Sequence, residues 1–247
     1  MAGMSRPITR NLLLLLAAAL LHPAAAAAQE PPHVRAAREA PLPAALPSES
    51  PGDWRLAFID VETTGLTPGY HEMIDIGLVI TDLEGRELSR LFLRIQPDRP
   101  ERTETGAVQV NGFDPVLWET FGAVGPAVAV DSIIAFCRAA AEGRDLLLTA
   151  FNCQFDTAFL DHLFRSQGRS WRELFYYYVL DLPSMAWGLG VRDLQGGRLA
   201  RRFSVPEETH DPLEHTGLTG AEFNAALYRA MLAGAGNGEP APGGPEE

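Results

Sequence analysis

Residues 58–66 read Phe-Ile-Asp-Val-Glu-Thr-Thr-Gly-Leu, and this stretch organises the rest of the chain. A short apolar run leads into two carboxylates, Asp60 and Glu62, that lie two residues apart. Because side chains alternate along a strand, both acids are predicted to lie on one face, with Val61 on the other. Two neighbouring acids on a buried strand repel each other unless a cation lies between them. Carboxylate oxygens suit a hard divalent ion such as Mg²⁺ or Mn²⁺.

An isolated Asp-X-Glu usually marks only a strand end that reaches solvent, since charged residues are mostly exposed. The longer segment 59–66 resembles the first motif of the DEDD family of 3′–5′ exonucleases, which includes the polymerase proofreading subunit, oligoribonuclease and ribonuclease T. Membership in that family requires two further motifs, in order, downstream.

Residues 151–160, Phe-Asn-Cys-Gln-Phe-Asp-Thr-Ala-Phe-Leu, resemble the second motif of the family. Asn152 and Asp156 lie four residues apart, which predicts that they are one turn apart on a starting helix. Asp156 would supply the third acid, although alone it would be an ordinary acid in the first turn of a helix. Phe151 replaces a common His and Cys153 a common Ala, and we interpret both as packing changes.

Residues 215–222, His-Thr-Gly-Leu-Thr-Gly-Ala-Glu, resemble the third motif of the His-type branch of the family. In that branch a His acts as general base, and an Asp five residues later completes the metal site. We prefer the register that begins at His215 over one that begins at His210, which would place Glu214 in a leucine position. Gly220 then stands where the fourth acid belongs. The missing carboxylate predicts weakened metal binding, and predicts that Gly220→Asp would raise degradation of 3′ ends.

The resemblance covers about residues 54–231 and implies the ribonuclease H-like exonuclease fold of the α/β class. Its mixed sheet would have about five strands, three antiparallel and two joining in parallel, flanked by helices. The resemblance also implies two divalent ions, Mg²⁺ or Mn²⁺, held by Asp60, Glu62 and Asp156 for phosphodiester hydrolysis. His215 would be the catalytic general base, because an ordinary histidine titrates near neutral pH.

Further residues are assigned to substrate binding by the same resemblance. They are Thr63, Thr64, Gly65 and Leu66 against the terminal nucleotide, Asn111 and Gly112 opposite them, and Asn152 in the second motif. The Asn111-Gly112 pair is explained equally well as a turn.

Two features of the strand predicted over residues 176–181 carry separate interpretations. Asp181, at its end, is predicted to cap the following helix. The tyrosines at 176–178 could form a base-stacking platform, but we prefer packing within the strand, because aromatic residues favour half-buried strands.

The resulting hypothesis is a metal-dependent 3′–5′ exonuclease acting on single-stranded DNA or RNA ends or short oligonucleotides, with a homodimer left open. The chain has a formal net charge of −12 and contains no lysine, which argues against tight binding to a long duplex. Two alternatives stay open: a catalytically weakened homologue that binds nucleic acid or nucleotides, and a hydrolase of small phosphodiesters or nucleotides.

Composition predicts four segments along the chain. Residues 1–29 have the pattern of an export signal, whose apolar run at 12–21 is too short for a membrane span, so we expect none in the mature chain. Residues 30–52 have the composition of a Pro/Ala-rich linker, 53–232 form the exonuclease-like domain, and 233–247 are predicted to be disordered. Export predicts a periplasmic or secreted protein, with a cytoplasmic one as the alternative. Cys137 and Cys153 could pair or remain thiols.

Overall fold

A mixed sheet of five strands forms the centre of residues 29–236, the part of the chain that the computed structural model describes. The strands are β1 Trp54–Thr63, β2 Met73–Thr81, β3 Glu87–Arg94, β4 Asp145–Ala150 and β5 Phe175–Asp181. Their order is β3-β2-β1-β4-β5. The pairs β1–β2 and β2–β3 are antiparallel, while β4 runs parallel to both β1 and β5. This is the predicted fold class and the predicted division of the sheet.

Eight α-helices accompany the sheet within the described residues, all in one unit that begins at Pro32. They are α1 Pro32–Glu39, α2 Thr105–Asn111, α3 Pro115–Thr120, α4 Pro126–Ala141, α5 Cys153–Ser166, α6 Leu182–Gly188, α7 Gly196–Arg202 and α8 Gly217–Gly236. The apolar stripe at residues 131–141 and a capping Asp131 predict a helix that begins at Asp131, but helix α4 begins five residues earlier, after Gly125. Proline at the first helical position explains the earlier start, because its fixed φ angle already suits a helix.

Strand β1 divides the hydrophobic core into two layers. On one face, residues such as Ile59 pack with helices α4 and α5, represented by Ile133 and Phe159. On the other face, residues such as Phe58 pack with helix α8, represented by Leu227. This alternation follows the two-residue period of a strand and places Asp60 and Glu62 on the face that α8 covers.

The terminal predictions fall partly outside residues 29–236. Of the export signal predicted over 1–29, the structure describes Gln29 alone. The predicted linker 30–52 contains helix α1, none of whose described residues is buried. Helix α8 extends through Gly236, four residues into the predicted tail 233–247, and the remainder of that tail lies outside the described residues.

Two further observations bear on the sequence predictions. Of the helices in the described part, none is long and apolar enough to cross a membrane. In the described part of the chain, Cys137 and Cys153 are buried and do not form a disulfide with each other. Of the two alternatives left open by the sequence, the structure therefore has the free thiols. Burial raises the pKa of each thiol to about 12.

Candidate active site

Pairing between β1 and β2 fixes the first two acids. Asp60 lies opposite Gly77, and Glu62 lies opposite Asp75. Residue 77 must be glycine because the start of α8 crosses it closely: a Cβ atom there would lie 2.1 Å from the carbonyl oxygen of Gly217. The first turn of α8 therefore rests on the sheet beside the two acids.

Asp156 joins these acids from the first turn of α5 and is 2% exposed. Burial raises its pKa well above the usual value; hydrogen bonds from its own backbone and that of Val61 oppose the shift, and Glu62 adds to it. Burial likewise raises the pKa of Asp60 well above the usual value, and the next cause is the charge of Asp156. The strand acids and the helix acid thus come together near the C-terminal end of β1, the central strand.

His215 reaches the same place from the segment that precedes α8. Its Nε2 atom lies 3.0 Å from Oε1 of Glu62, and its Nδ1 atom lies 3.0 Å from the carbonyl oxygen of Thr209. The hydrogen bond to Glu62 is the main cause that raises the pKa of His215 to about 9. His210, the alternative base, is exposed. The structure therefore brings the preferred histidine to the acids.

Gly220 lies against Asp60, and this contact leaves little space for a side chain at the position where the fourth acid was expected. A Cβ atom at residue 220 would lie 2.3 Å from Oδ2 and 2.9 Å from Cβ of Asp60. An aspartate at 220 would therefore require Asp60 or the helix to move, which opposes the gain predicted for Gly220→Asp. Glu222 gives no substitute from this helix, because its side chain pairs with Arg90 at the surface.

The threonines assigned to the substrate are occupied by contacts within the protein. The Thr63 hydroxyl donates to the carbonyl oxygen of Gly65, at 2.7 Å. Thr64 is fully buried, and its hydroxyl accepts from the backbone N–H of Glu72. Leu66, in contrast, is 75% exposed. These contacts shape the turn after β1, so the two hydroxyls support the site through the backbone.

A cavity of about 410 Å³ lies beside Glu62. Its walls come from the end of β1, the turn after it and helices α2 and α5, with Gly65, Leu66, Val110 and Phe155 among the lining residues. Gly65 and Leu66, both assigned to the terminal nucleotide, therefore line a space next to the acids.

Asn111 holds Glu62 in place. Its side-chain amide donates to Oε2 of Glu62 at 3.2 Å and to the carbonyl oxygen of Thr63 at 3.0 Å. It is the last residue of α2, and Gly112 ends that helix in the left-handed region at φ +64°. The segment forms a helix end, whereas the sequence left a turn and a substrate contact equally open, because a glycine that follows a helix stabilises this conformation.

Within the described part of the chain, the side chain of Asn152 makes no hydrogen bond to Asp60, Glu62 or Asp156. The residue precedes α5 in the left-handed region at φ +58°, is exposed, and makes no side-chain capping bond within the described part. Asp181 caps in its place: its carboxylate accepts from the backbone N–H of Cys153 at 3.1 Å and from that of Ser184 at 3.0 Å.

The preferred interpretation of the tyrosines was wrong for two of the three. Tyr177 is 42% exposed and Tyr178 is 59% exposed on the edge strand β5. Tyr176 is half-buried and makes an edge contact with Trp54. The alternation of a strand could have shown that all three rings cannot share one buried face.

Two acids near the site were not singled out from the sequence. Asp75 is 1% exposed, and its Oδ1 atom accepts from the backbone N–H of Gly217 at 2.9 Å. Asp75 interrupts the otherwise apolar run of β2, and this could have marked it in the sequence, since buried acids are rare. Glu208 lies 3.5 Å from Nδ1 of His215. No local pattern identifies Glu208, because its position depends on the path of the loop.

The donor chemistry fits divalent ions, although no three His, Cys, Asp or Glu side chains of residues 29–236 form a ready metal-binding group. Asp60, Glu62 and Asp156 offer carboxylate oxygens, which hard cations prefer. Burial, followed by repulsion from the neighbouring carboxylates, raises the pKa of Asp60, as expected for a group of acids without a counter-charge. Glu62 must exchange His215 for an ion before it can act as a ligand.

Comparison with solved structures finds the same fold in exonucleases. E. coli exonuclease I in complex with a 5cy-dT13 oligonucleotide superposes with a TM-score of 0.59 at 14% identity, covering 74% of this chain and 41% of that one. A zinc-bound complex of the E. coli enzyme with single-stranded DNA gives 0.56 at 15% identity, covering 72% and 40%. A 3′-exonuclease that recognises the histone mRNA stem-loop gives 0.59 at 13% identity, covering 73% and 82%.

These likenesses establish the fold, a mixed sheet flanked by helices that is shared with ribonuclease H-like exonucleases. The chain spans about two fifths of the exonuclease I chains that it matches. No protein-family model matches the sequence, and no curated protein sequence matches it.

Proposed function

We propose that this protein is a metal-dependent 3′–5′ exonuclease of the DEDD type, hydrolysing phosphodiester bonds at the 3′ ends of single-stranded DNA or RNA. The observation that carries the proposal is the convergence of Asp60, Glu62, Asp156 and His215 near the C-terminal end of β1, in a sheet with the exonuclease fold. These residues lie as much as 155 positions apart in the sequence. Their motifs follow one another in the order that the family resemblance implies.

Each residue has a distinct role in the proposed reaction. Asp60, Glu62 and Asp156 would hold Mg²⁺ or Mn²⁺, which would stabilise the negative charge that develops on the phosphate. With Glu62 engaged there, Nε2 of His215 becomes free to accept a proton from the attacking water. The carbonyl oxygen of Thr209 accepts from Nδ1–H, which selects the tautomer whose Nε2 is basic.

The cavity beside Glu62 is proposed to receive the terminal nucleotide. Its apolar lining, including Leu66, Val110 and Phe155, suits the face of a base or sugar next to the scissile phosphate. A short footprint of this kind agrees with the net charge of −12, because a few nucleotides held at a metal site need little basic surface.

The proposal is tested with purified full-length protein and 5′-labelled single-stranded DNA, RNA and dinucleotides, with Mn²⁺, Mg²⁺ or EDTA. We expect stepwise shortening from the 3′ end that requires the metal and is abolished by Asp60→Ala. Shortening that survives Asp60→Ala, or proceeds equally well in EDTA, contradicts the proposal. Cleavage of dinucleotides alone would instead support a hydrolase of small phosphodiesters.

A second candidate is a homologue that binds nucleic acid with little turnover. Gly220 favours it, because a glycine gives no fourth carboxylate from α8. Retention of oligonucleotide binding without product in Mn²⁺ would support this candidate over the exonuclease.

The place of action is a separate part of the proposal. The export pattern at residues 1–29 supports a periplasmic or secreted enzyme. N-terminal sequencing of the native protein tests it: a mature chain that begins near residue 29 supports export, and an intact start contradicts it.

A further inference from the structure

We propose that the edge strand β5 carries a second binding site for single-stranded nucleic acid, in which Tyr177 and Tyr178 stack on bases and Arg172 contacts the phosphate backbone. We call these three residues the tyrosine platform. It lies outside the three exonuclease motifs and apart from the cavity beside Glu62. The inference rests on the proposed function for the class of ligand, and it adds a place where the strand is held upstream of its 3′ end.

An irregularity in β5 gives the tyrosines their unusual position. Along the pair β4–β5, β4 advances two residues from Leu146 to Leu148, while β5 advances four, from Phe175 to Val179. The two additional residues of β5 fall within 176–178, the three consecutive tyrosines. Bulged residues leave the regular pairing of a strand and often redirect their side chains. The bulge therefore releases these rings from strict alternation.

The rings of Tyr177 and Tyr178 lie beside each other and are open to solvent. Their centroids are 4.3 Å apart, although adjacent residues of a regular strand point to opposite faces. β5 is the last strand in the sheet order, and the two side chains are 42% and 59% exposed. Exposed aromatic rings bind single strands because every base has a face that can stack on them.

Arg172 supplies the positive charge of the platform. Its guanidinium carbon lies 5.1 Å from the centroid of the Tyr177 ring. The nearby Arg169 pairs with Glu173, whereas Arg172 forms no ion pair within the described residues, and its Nε atom is buried there without a hydrogen-bond partner. An arginine held on an aromatic ring with unused N–H groups can donate to a phosphate oxygen.

A groove of about 500 Å³ connects the platform with the start of helix α5. Tyr177 and Gln154 both line this groove, and the residue after Gln154, Phe155, lines the cavity beside Glu62. Asp156, a proposed metal ligand, follows directly on the same helix. A strand with its 3′ end at the metal site would therefore reach the platform by crossing the first turn of α5.

Two acids also line the groove, and both are engaged within the protein. Asp161 pairs with Arg165 at 3.2 Å. Asp181 accepts the backbone hydrogen bonds from Cys153 and Ser184 that cap α5 and α6. Because these partners offset much of the negative charge, the two acids repel a phosphate less than free carboxylates would.

A second copy of the chain is the other candidate partner for this edge. Regular edge strands can pair with one another, and bulges are among the features that prevent such pairing. The bulge in β5 therefore favours stacking of bases over the addition of another strand.

The experiment measures binding to purified full-length protein by fluorescence anisotropy in EDTA, which prevents metal-dependent shortening. The probe is a 5′-labelled single strand of about 15 nucleotides, of DNA or of RNA. We expect Tyr177→Ala and Tyr178→Ala each to weaken binding by about fivefold or more, whereas Tyr177→Phe keeps the ring and should retain binding. Hydrolysis of a dinucleotide in Mn²⁺ should be unchanged in all three variants, since a dinucleotide is held at the metal site.

The matched control is Phe121→Ala. Phe121 is 47% exposed and lies under the guanidinium of Arg94, on β3 at the opposite edge of the sheet. This substitution removes a similar pair of an aromatic ring and an arginine and should leave binding of the long strand unchanged.

Arg172→Gln tests the phosphate contact separately. It should reduce the slope of log affinity against log salt concentration by about 0.7, the change expected for one phosphate contact to a single strand. An unchanged slope would remove Arg172 from the platform and contradict the inference.

The outcomes separate this inference from the proposed function. If the long strand is shortened in Mn²⁺ but its binding is unaffected by both tyrosine-to-alanine changes, or equally weakened by Phe121→Ala, this inference alone is overturned. If the wild-type protein neither binds nor shortens the long strand, the proposed function falls with it. Sedimentation analysis of the free protein tests the second copy: a dimer that Tyr177→Ala dissociates would assign the surface to self-association and overturn the inference.

Discussion

The two sides of the candidate site are held by different kinds of structure. On one side Asp60 and Glu62 stand on β1, which pairs with β2 from Leu56 to Thr63 and with β4 from Trp54 to Phe58. On the other side His215 and Glu208 come from a loop that short-range hydrogen bonds stabilise. A paired central strand fixes its side chains by its register, while a loop can change its residues without altering the sheet. The acids of the strand match their motif, whereas the third motif, which begins at His215 in the loop, departs from the pattern at Gly220 in α8.

The largest effect is expected on the strand side, from Asp60→Asn. Activity should fall by about 10³-fold, because the ion that would offset negative charge on the phosphate loses a carboxylate ligand. The same change should raise the free energy of unfolding in EDTA, on the order of 1 kcal/mol, since burial and neighbouring acids disfavour the ionised form. Nuclease assays and urea unfolding measure the two quantities.

The exposed Asp98 gives a matched control for this change. Asp98→Asn removes the same charge and should alter neither activity nor stability by much. Equal effects of the two substitutions would mean that the strand side is no more constrained than the surface.

The second effect belongs to the loop side. His215→Ala should lower activity by about 10²-fold, the lower end of the usual contribution of a general base. His210→Ala, an exposed change in the same loop, should stay within about twofold, because that residue is outside the contact with Glu62. A larger loss from His210→Ala than from His215→Ala would move the third motif to its other register.

A smaller effect is expected where the two sides touch. Gly220→Ala would place a Cβ atom 2.3 Å from Oδ2 of Asp60, so the acid or the helix must move. We expect a cost of about 1–3 kcal/mol in unfolding free energy, as in other overpacked sites. An activity loss of about tenfold should follow, because catalytic groups tolerate little displacement.

Gly234 is the control for that substitution in the same helix. A Cβ atom there meets nothing within 4 Å among the described residues, so Gly234→Ala should stabilise α8 by up to about 1 kcal/mol. If Gly220→Ala were equally harmless, the close contact between α8 and Asp60 would not matter for the site.

The strand side could be predicted from the sequence because its signals are local. Apolar runs bounded by turn residues predict strands at residues 73–81 and 145–150, and these are the bounds of β2 and β4. The two-residue period of a strand was enough to predict that the side chains of Asp60 and Glu62 lie on the same face of the sheet. The motif order then supplied the long-range step that local patterns cannot give.

The loop side could not be predicted in the same way. The position of Glu208 depends on the path of the loop 203–216, which no periodicity encodes. The contact between Gly220 and Asp60 depends on how closely α8 approaches the sheet, which Gly77 and Gly217 permit together. A motif comparison sees only an absent acid at 220, whereas packing shows that the space is already filled.

The smallest effect on activity compares two buried asparagines that both touch β1. Asn111 donates to Glu62, whereas Asn224, from α8, donates to the carbonyl oxygen of Ile59 at 3.0 Å. Each substitution by alanine should cost about 1–3 kcal/mol of unfolding free energy, because each leaves a buried carbonyl oxygen without its donor.

Activity should separate them, because only Asn111 restrains a proposed metal ligand. We expect Asn111→Ala to lower activity severalfold, and Asn224→Ala to leave it nearly unchanged where both variants are fully folded. Assays well below the midpoint of unfolding make this comparison fair. If both variants lost activity equally, the loss would reflect the shared support of β1, and Asn111 would have no specific part in holding Glu62.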